Sequence, residues 1–430
     1  MKRTWALTLI LALLLTAVAS SVLVNLTSAN FMPPIPDLPH IYIRGDGTVE
    51  PSSAPIQHVG DTYTLTKNLI LENVIEVQRD NIIIDGGDHT IQVMAPSGII
   101  LLGRSNITIK NFNVKTFNSG ISVRYSYNIN ISASTFSGND IGVVLDYAVN
   151  NTIIENVMTE NSQGILTYHD CDYNRIVRNQ LTNNKIGGIW FESGAQSCDF
   201  NSVVQNTISS NIQEGIMCRS ANNSIFAANT ITDNGYGNAA TVKGYGIFLS
   251  SSNNTFFCNN FANNYMQVRN LGKNNSWDNG VEGNYWSNYN GVDTDSDGIG
   301  DSPFPIDTNA QDNYPLMQPV DILAVNLPAL PIASTITIPP PEPTPSPALN
   351  PSPAITPIPK PESSPTEPPN QTPPPQSEPP KLEDKTETPT NSNTESFPII
   401  LIAAVFGASL AVIGVGLLVY LKKYYRGYNK

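Results

Sequence analysis

Glycines recur at 98, 120, 142 and 164, an interval of 22 residues, and Gly188, Gly215 and Gly246 continue the series with insertions. Each opens a similar run: "GIILL", "GISVR", "GVVLD", "GILTY", "GIWFE", "GIMCR" and "GIFLS". The residue after the glycine is Ile99, Ile121, Val143, Ile165, Ile189, Ile216 or Ile247; two positions on stand Leu101, Val123, Leu145, Thr167, Phe191, Cys218 and Leu249. Alternate positions that stay largely apolar through seven copies predict strands with one side turned inward, β-branched where sheet packing favours it. A second strand follows about eight residues later, as in "INISASTF", "TIIENVM" and "RIVRNQL". Copies this long, with two or three short strands each, fit neither a hairpin blade nor a helical or leucine-rich repeat. The expectation is an all-β parallel β-helix in which each copy is one coil and coils stack about 4.8 Å apart.

Stacking explains the asparagines. Asn106, Asn151, Asn174, Asn201, Asn223 and Asn254 are read as equivalent turn positions, with Asn111, Asn156, Asn179, Asn206 and Asn259 recurring five residues after their partners. Side-chain amides stacked coil on coil can each donate and accept, and asparagine tolerates the left-handed backbone of tight corners. The repeated asparagine is therefore architectural before it is a binding code.

Composition limits the remainder. The N-terminal "MKRTWALTLILALLLTAVASS" has Lys2 and Arg3 before an apolar run, with Ala17 and Ala19 spaced for a signal peptidase, which predicts an export signal over 1–19, or to 29. The charge-free run from Ile399 to Leu421 is long enough to span a hydrocarbon core of about 30 Å. Lys422, Lys423, Arg426 and Lys430 predict that the tail 422–430 is cytoplasmic and the rest lies outside the cell. Of the chain's 34 prolines, 21 fall between Pro328 and Pro380, so 327–396 reads as a semi-rigid polyproline stalk with an extended limit on the order of 200 Å. The folded part divides into an N-terminal cap and first coil (30–80), the repeats (81–264) and a C-terminal cap (265–319). A net charge of −13 without a basic stripe argues against nucleic acid as a partner.

The stacked coils, together with "GNYWSNYNGVDTDSDGIGDSPFPID" and "DNYPLM", resemble the NosD-type right-handed parallel β-helix proteins, especially archaeal surface members. The resemblance covers about residues 40–319. It implies the fold strongly and the activity poorly, because the class mixes copper delivery, carbohydrate-binding or sugar-hydrolysing modules, and surface proteins of unknown role.

Several constellations are candidates for chemistry. Copper needs soft or imidazole donors grouped together, whereas His40, His58, His89 and His169 are scattered. Cys171 and Cys198 each precede a turn asparagine by three residues, which predicts neighbours on adjacent coils at a separation a disulfide accepts. In "DTDSDGIGD", Asp293, Asp295, Asp297 and Asp301 occupy oxygen-ligand positions of a calcium loop, with Phe304 where an EF-hand needs glutamate. The outward column four residues after each glycine holds Arg124, Asp146, Tyr168, Glu192 and Arg219. Asp146 and Glu192, two coils apart at about 9.6 Å, would be the acid and base of a glycoside hydrolase, with Tyr168, His169 and Trp190 against the sugar. Ordinary cross-strand pairing of Arg124 with Asp146 and Arg219 with Glu192 is the competing reading, and it is the one preferred. Sequons at Asn106, Asn150, Asn222 and Asn253 place candidate glycans along one edge. The expected role is recognition or organisation at the cell surface, with an envelope polysaccharide as partner.

Overall fold

The computed structural model describes residues 40–70, 74–192, 196–237, 243–333 and 336. The expected export signal, most of the stalk, the apolar run 399–421 and the tail lie outside these residues. Among the described residues no helix is long and apolar enough to cross a membrane.

The chain winds as a solenoid whose coils contribute to three long sheets, called A, B and C here, of 11, 10 and 10 strands. The glycine-led runs form sheet A, for example Ser119–Arg124, Ile141–Asp146, Gln163–Tyr168 and Gly187–Phe191. Their pairing is parallel and in register: Ile99, Ile121, Val143, Ile165, Ile189, Ile216 and Ile247 stand in one row and are wholly buried. The repeat glycine is required by the stacking itself. A Cβ on Gly120 would lie 2.5 Å from the Gly142 carbonyl, and one on Gly142 2.5 Å from that of Gly164, closer than any carbon can sit.

Asparagine lines the inner corners in three buried ladders. One runs through Asn151, Asn174 and Asn201, another from Asn156 through Asn179, Asn206, Asn229 and Asn259 to Asn284. The third, Asn139, Asn161, Asn184, Asn211, Asn234 and Asn264, was not read from the sequence. Each buried amide also takes up backbone groups: Asn206 Nδ2 donates to the carbonyls of Ile176 (2.8 Å) and Val204 (3.0 Å) as well as to Asn229 Oδ1 (3.0 Å). Corner backbone that a strand cannot pair is satisfied in this way.

The expected register needs correction by one residue at three places. Asn106 belongs with Asn128 and Asn150 in an outer row of amides, and Asn106, Asn111 and Asn223 all have left-handed backbone, with φ of 55°, 58° and 53°. The corner thus alternates a left-handed residue, often asparagine, with a buried ladder amide. Adjacent asparagines blur that distinction in sequence.

The ends are closed differently. Antiparallel Ile56–Val59 and Thr62–Leu65 begin the solenoid, with Tyr63 buried beneath. At the other end Trp277 stacks on Phe256 and Trp286 on Phe261, both at 4.4 Å, and these stacks close the core. Asp312, wholly buried, accepts from Asn284 N (2.7 Å) and Trp286 Nε1 (2.8 Å) and so terminates the second ladder. Burial raises its carboxyl to about 6 against the pull of those hydrogen bonds.

Sheet B receives the chain as it leaves the cap. Its outer column is polar at Asp85, Lys110 and Ser132, then turns apolar at Ile154, Val177, Val204, Ala227 and Phe257. Val320, Val325, Leu327 and Leu330 lie across that apolar stretch, anchored by reciprocal 2.9 Å hydrogen bonds between Val320 and the Asn260 side chain. The residues expected to open the stalk at Leu327 are instead part of the folded body, held by apolar burial that a proline count does not register.

Candidate functional site

The outer face of sheet A carries charge and aromatic rings together. Arg124, Asp146 and Tyr168 stand in register on adjacent strands, and Glu192 and Arg219 follow at the ends of the next two. Asp146 is shared: Arg124 Nε lies 3.6 Å from Oδ2, and His169 Nδ1 3.0 Å from Oδ1. Arg219 Nη1 donates to Glu192 Oε1 at 2.9 Å, and its guanidinium sits 5.7 Å over the Trp190 ring.

These contacts are the cross-strand pairs expected of the column. A general acid needs a carboxyl kept protonated by burial or a like charge, but Asp146 and Glu192 are each paired with an arginine. The geometry favours cross-strand ion pairs over a hydrolytic acid and base. Tyr125, Tyr147 and His169 stack in a ladder at 4.8 and 5.1 Å, so their faces are used by one another. Burial and the nearby carboxylates of Glu192 and Asp146 raise the Tyr168 hydroxyl, which keeps it protonated as a hydrogen-bond donor.

Sequence reasoning passed over Glu214. It is the residue before a repeat glycine, paired in register with Gly187, and is only 8% exposed. Burial raises its carboxyl to about 7, with Arg219 opposing. The signal was available: Ser97, Ser119, Ile141 and Gln163 occupy that row in earlier coils, and an acid appears only once.

The cysteines are placed side by side as expected, without the bond. All four are free thiols. Cys198 Sγ donates to the Tyr168 carbonyl at 3.4 Å and accepts from Thr167 Oγ1 at 3.6 Å. A hydrogen bond between the two thiols lowers Cys198, while burial holds Cys171 well above the usual thiol range. The pair therefore packs as hydrogen-bonded thiols.

In the acidic loop, Asp293, Asp295 and Asp297 have ligand oxygens within 4.8 Å of one another. Asp301 does not join them, since its carboxylate accepts from the Thr294 hydroxyl and amide. The expected four-carboxylate set is therefore three. Among the described residues this is the one group of three or more His, Cys, Asp or Glu side chains that converges. The histidines stay apart, on Glu76, Gly60, Asn68 and Asp146.

Of the sequon residues, Asn106 and Asn150 use their amide nitrogens on Asn81 and Asn128, and Asn222 on Asp199. Asn253 is exposed and accepts from Asn274.

Residues 59–231 match the family model described as a right-handed β-helix region, and residues 193–291 that of the periplasmic copper-binding protein NosD. No curated protein matches the chain. Among solved structures, it is similar to a tailspike double mutant of E. coli bacteriophage HK620 in complex with pentasaccharide, at 13% identity and TM-score 0.40. That match covers 50% of this chain and 47% of the tailspike, so it spans about half of each. It is also similar to the periplasmic alginate epimerase AlgG, at 15% identity and TM-score 0.35, covering 48% of this chain and 65% of the epimerase. Likeness at this level concerns the fold alone. The copper named by the second family model finds no converging soft or imidazole set of three among the described residues; oxygen-only Asp293, Asp295 and Asp297 suit a hard cation.

Proposed function

We propose, from the premise that the chain belongs to the NosD-type right-handed parallel β-helix proteins, that it is a recognition module binding carbohydrate along the outer face of sheet A. The observation that carries this reading is the contrast among faces. Sheet B is covered by the chain's own segment around Val320–Leu330, whereas sheet A presents Arg124, Asp146, Tyr168, His169, Trp190, Glu192 and Arg219 half-exposed. Hydrogen-bonding groups repeated at the coil spacing of about 4.8 Å suit a ligand that is itself a repeating polymer.

The cellular setting belongs to the same proposal. The signal-like start, the proline-rich stretch, the apolar run 399–421 and the basic tail support display at the cell surface through one membrane helix, with an envelope or extracellular polysaccharide as partner.

A glycan array probed with the full chain tests the reading, with product analysis on every hit. Binding without cleavage is expected, and Asp146→Asn or Glu192→Gln should weaken that binding. Cleavage that either substitution abolishes would replace recognition with hydrolysis or elimination. No binding to any glycan would overturn the carbohydrate reading.

The three convergent aspartates favour a calcium ion as a structural ligand of the C-terminal cap. Calorimetry of the full chain against millimolar calcium should release heat that is lost in Asp295→Asn; no heat from the parent protein would reject the site.

A further inference from the structure

Coil length changes along sheet A. The repeat glycines are 22 residues apart as far as Gly164, and then 24, 27 and 31 residues apart. The longest additions enter between Phe191 and Cys198, just after one sheet A strand, and between Asn234 and Gly246, just before another. Insertions in a solenoid map to loops on one face, often the binding face. Among the described residues, Glu192 opens the first addition two positions after Trp190, and Gly244 and Tyr245 at the end of the second lie against Gln213 and Gly215, on either side of Glu214.

At that place the satisfaction of polar groups breaks down. Glu214 Oε2 and Trp190 Nε1 are both buried without a hydrogen-bond partner. They are neighbours across one coil. A Cβ on Gly187 would lie 2.3 Å from Trp190 Nε1, so the indole edge crosses that glycine, and Glu214 is the residue paired with Gly187. An orphaned buried donor or acceptor costs about 1–3 kcal/mol. Along its inner corners the solenoid spends an asparagine on such groups, so two orphans side by side mark a place where something else completes the set.

The missing group must accept from an indole N–H and also bond to a carboxyl oxygen. A hydroxyl does both at once, being donor and acceptor. The nearby charges are already balanced, since Arg219 is committed to Glu192, so that guanidinium is not free to select an anionic sugar. We propose that Trp190 and Glu214, with Arg219 and Glu192 beside them, form the anchoring subsite for a neutral sugar, one of whose hydroxyls accepts from Trp190 Nε1–H and donates to Glu214. This rests on the carbohydrate reading above and names the place and the class of sugar.

The test is titration calorimetry of the full chain against neutral hexasaccharides of glucose, mannose, galactose and N-acetylglucosamine, with a galacturonate hexasaccharide as the charged probe. Trp190→Phe keeps an aromatic ring and removes the N–H; Glu214→Leu removes the carboxyl; Glu214→Gln keeps a polar neutral group. At least one neutral probe should bind, with about tenfold or greater loss in Trp190→Phe and Glu214→Leu and little loss in Glu214→Gln. If Glu214→Leu fails to fold, Trp190→Phe against Glu214→Gln still decides. Unchanged affinity in Trp190→Phe would overturn the subsite and leave surface recognition standing. Binding of the galacturonate probe alone would overturn the neutral class. No binding of any probe by the parent protein would overturn the subsite together with the reading beneath it.

Discussion

The buried asparagine ladders and the Trp190–Glu214 corner are made from the same coils, yet they treat polar groups in opposite ways. Asn206 donates to two carbonyls and the next amide, and its Oδ1 accepts from Asn179. Glu214 Oε2 and Trp190 Nε1 have no partner. A repeated polar residue whose every atom is paired by its neighbours is part of the framework. A polar residue that occurs once in its row and is left unpaired indicates what the framework holds in place.

From that contrast, the largest effect on stability comes from the ladder. Asn206→Leu should cost about 4 kcal/mol, because it strands several buried backbone and amide groups. Asn128→Ala, in the outer amide row, should cost less than about 1 kcal/mol, because water can replace what it loses. Equal losses in denaturant unfolding would erase the distinction between buried and outer rows.

The thiols are an intermediate case, paired by hydrogen bonds but capable of a covalent link. When the full chain is refolded in an oxidised thiol buffer, Cys171 and Cys198 should form the bond expected from their spacing, contributing about 3 kcal/mol through loop closure. Peptide mapping that finds both thiols alkylatable after such refolding would reject it.

Glu214 should give stability a pH dependence that the ladders lack. Its folded carboxyl titrates near 7, above the ordinary glutamate value of 4.5, so between those values the folded state holds more proton than the unfolded one. Stability from this group is therefore full below about pH 4.5 and is lost as pH rises through 7, by about 2 kcal/mol after allowing for solvent screening. Glu214→Gln should flatten that part of a plot of Tm against pH; an unchanged slope would place the titration elsewhere. Asp312, near 6, adds a loss of the same sign at lower pH, which Glu214→Gln leaves in place.

A smaller effect than that of Glu214 is expected from calcium at Asp293, Asp295 and Asp297. At ten times its dissociation constant the ion would add about 1.4 kcal/mol. A Tm unmoved by chelator would show that the acidic turn is stable by its own hydrogen bonds, such as those from Asp297 N and Gly298 N to Asp293.

The solenoid was legible in the sequence because its period is short, its glycines are enforced by carbonyl contact, and its inward rows are apolar through coil after coil. The ladder register was legible to within one residue, and Asn106, Asn111 and Asn223 were misplaced because left-handed and ladder asparagines are adjacent. The segment Val320–Leu330 was hidden since its partners on sheet B are contributed by five separate coils. On the candidate site, the ion pairs of Arg124 with Asp146 and Arg219 with Glu192 followed from the column. Glu214 did not, because the residue before the repeat glycine varies from coil to coil and its neighbour in register is Gly187, which the Trp190 indole crosses from three residues along that strand.

The most direct measurement is hydroxyl-radical footprinting of the full chain with and without the strongest oligosaccharide hit from the array. Protection should fall on Trp190, Met217 and Tyr168, on the outer face of sheet A, with Trp277 and Trp286 unchanged in the buried cap. Protection confined to the Val320–Leu330 segment or the acidic loop, with Trp190 as reactive as in the free protein, would contradict the assignment of carbohydrate recognition to this face.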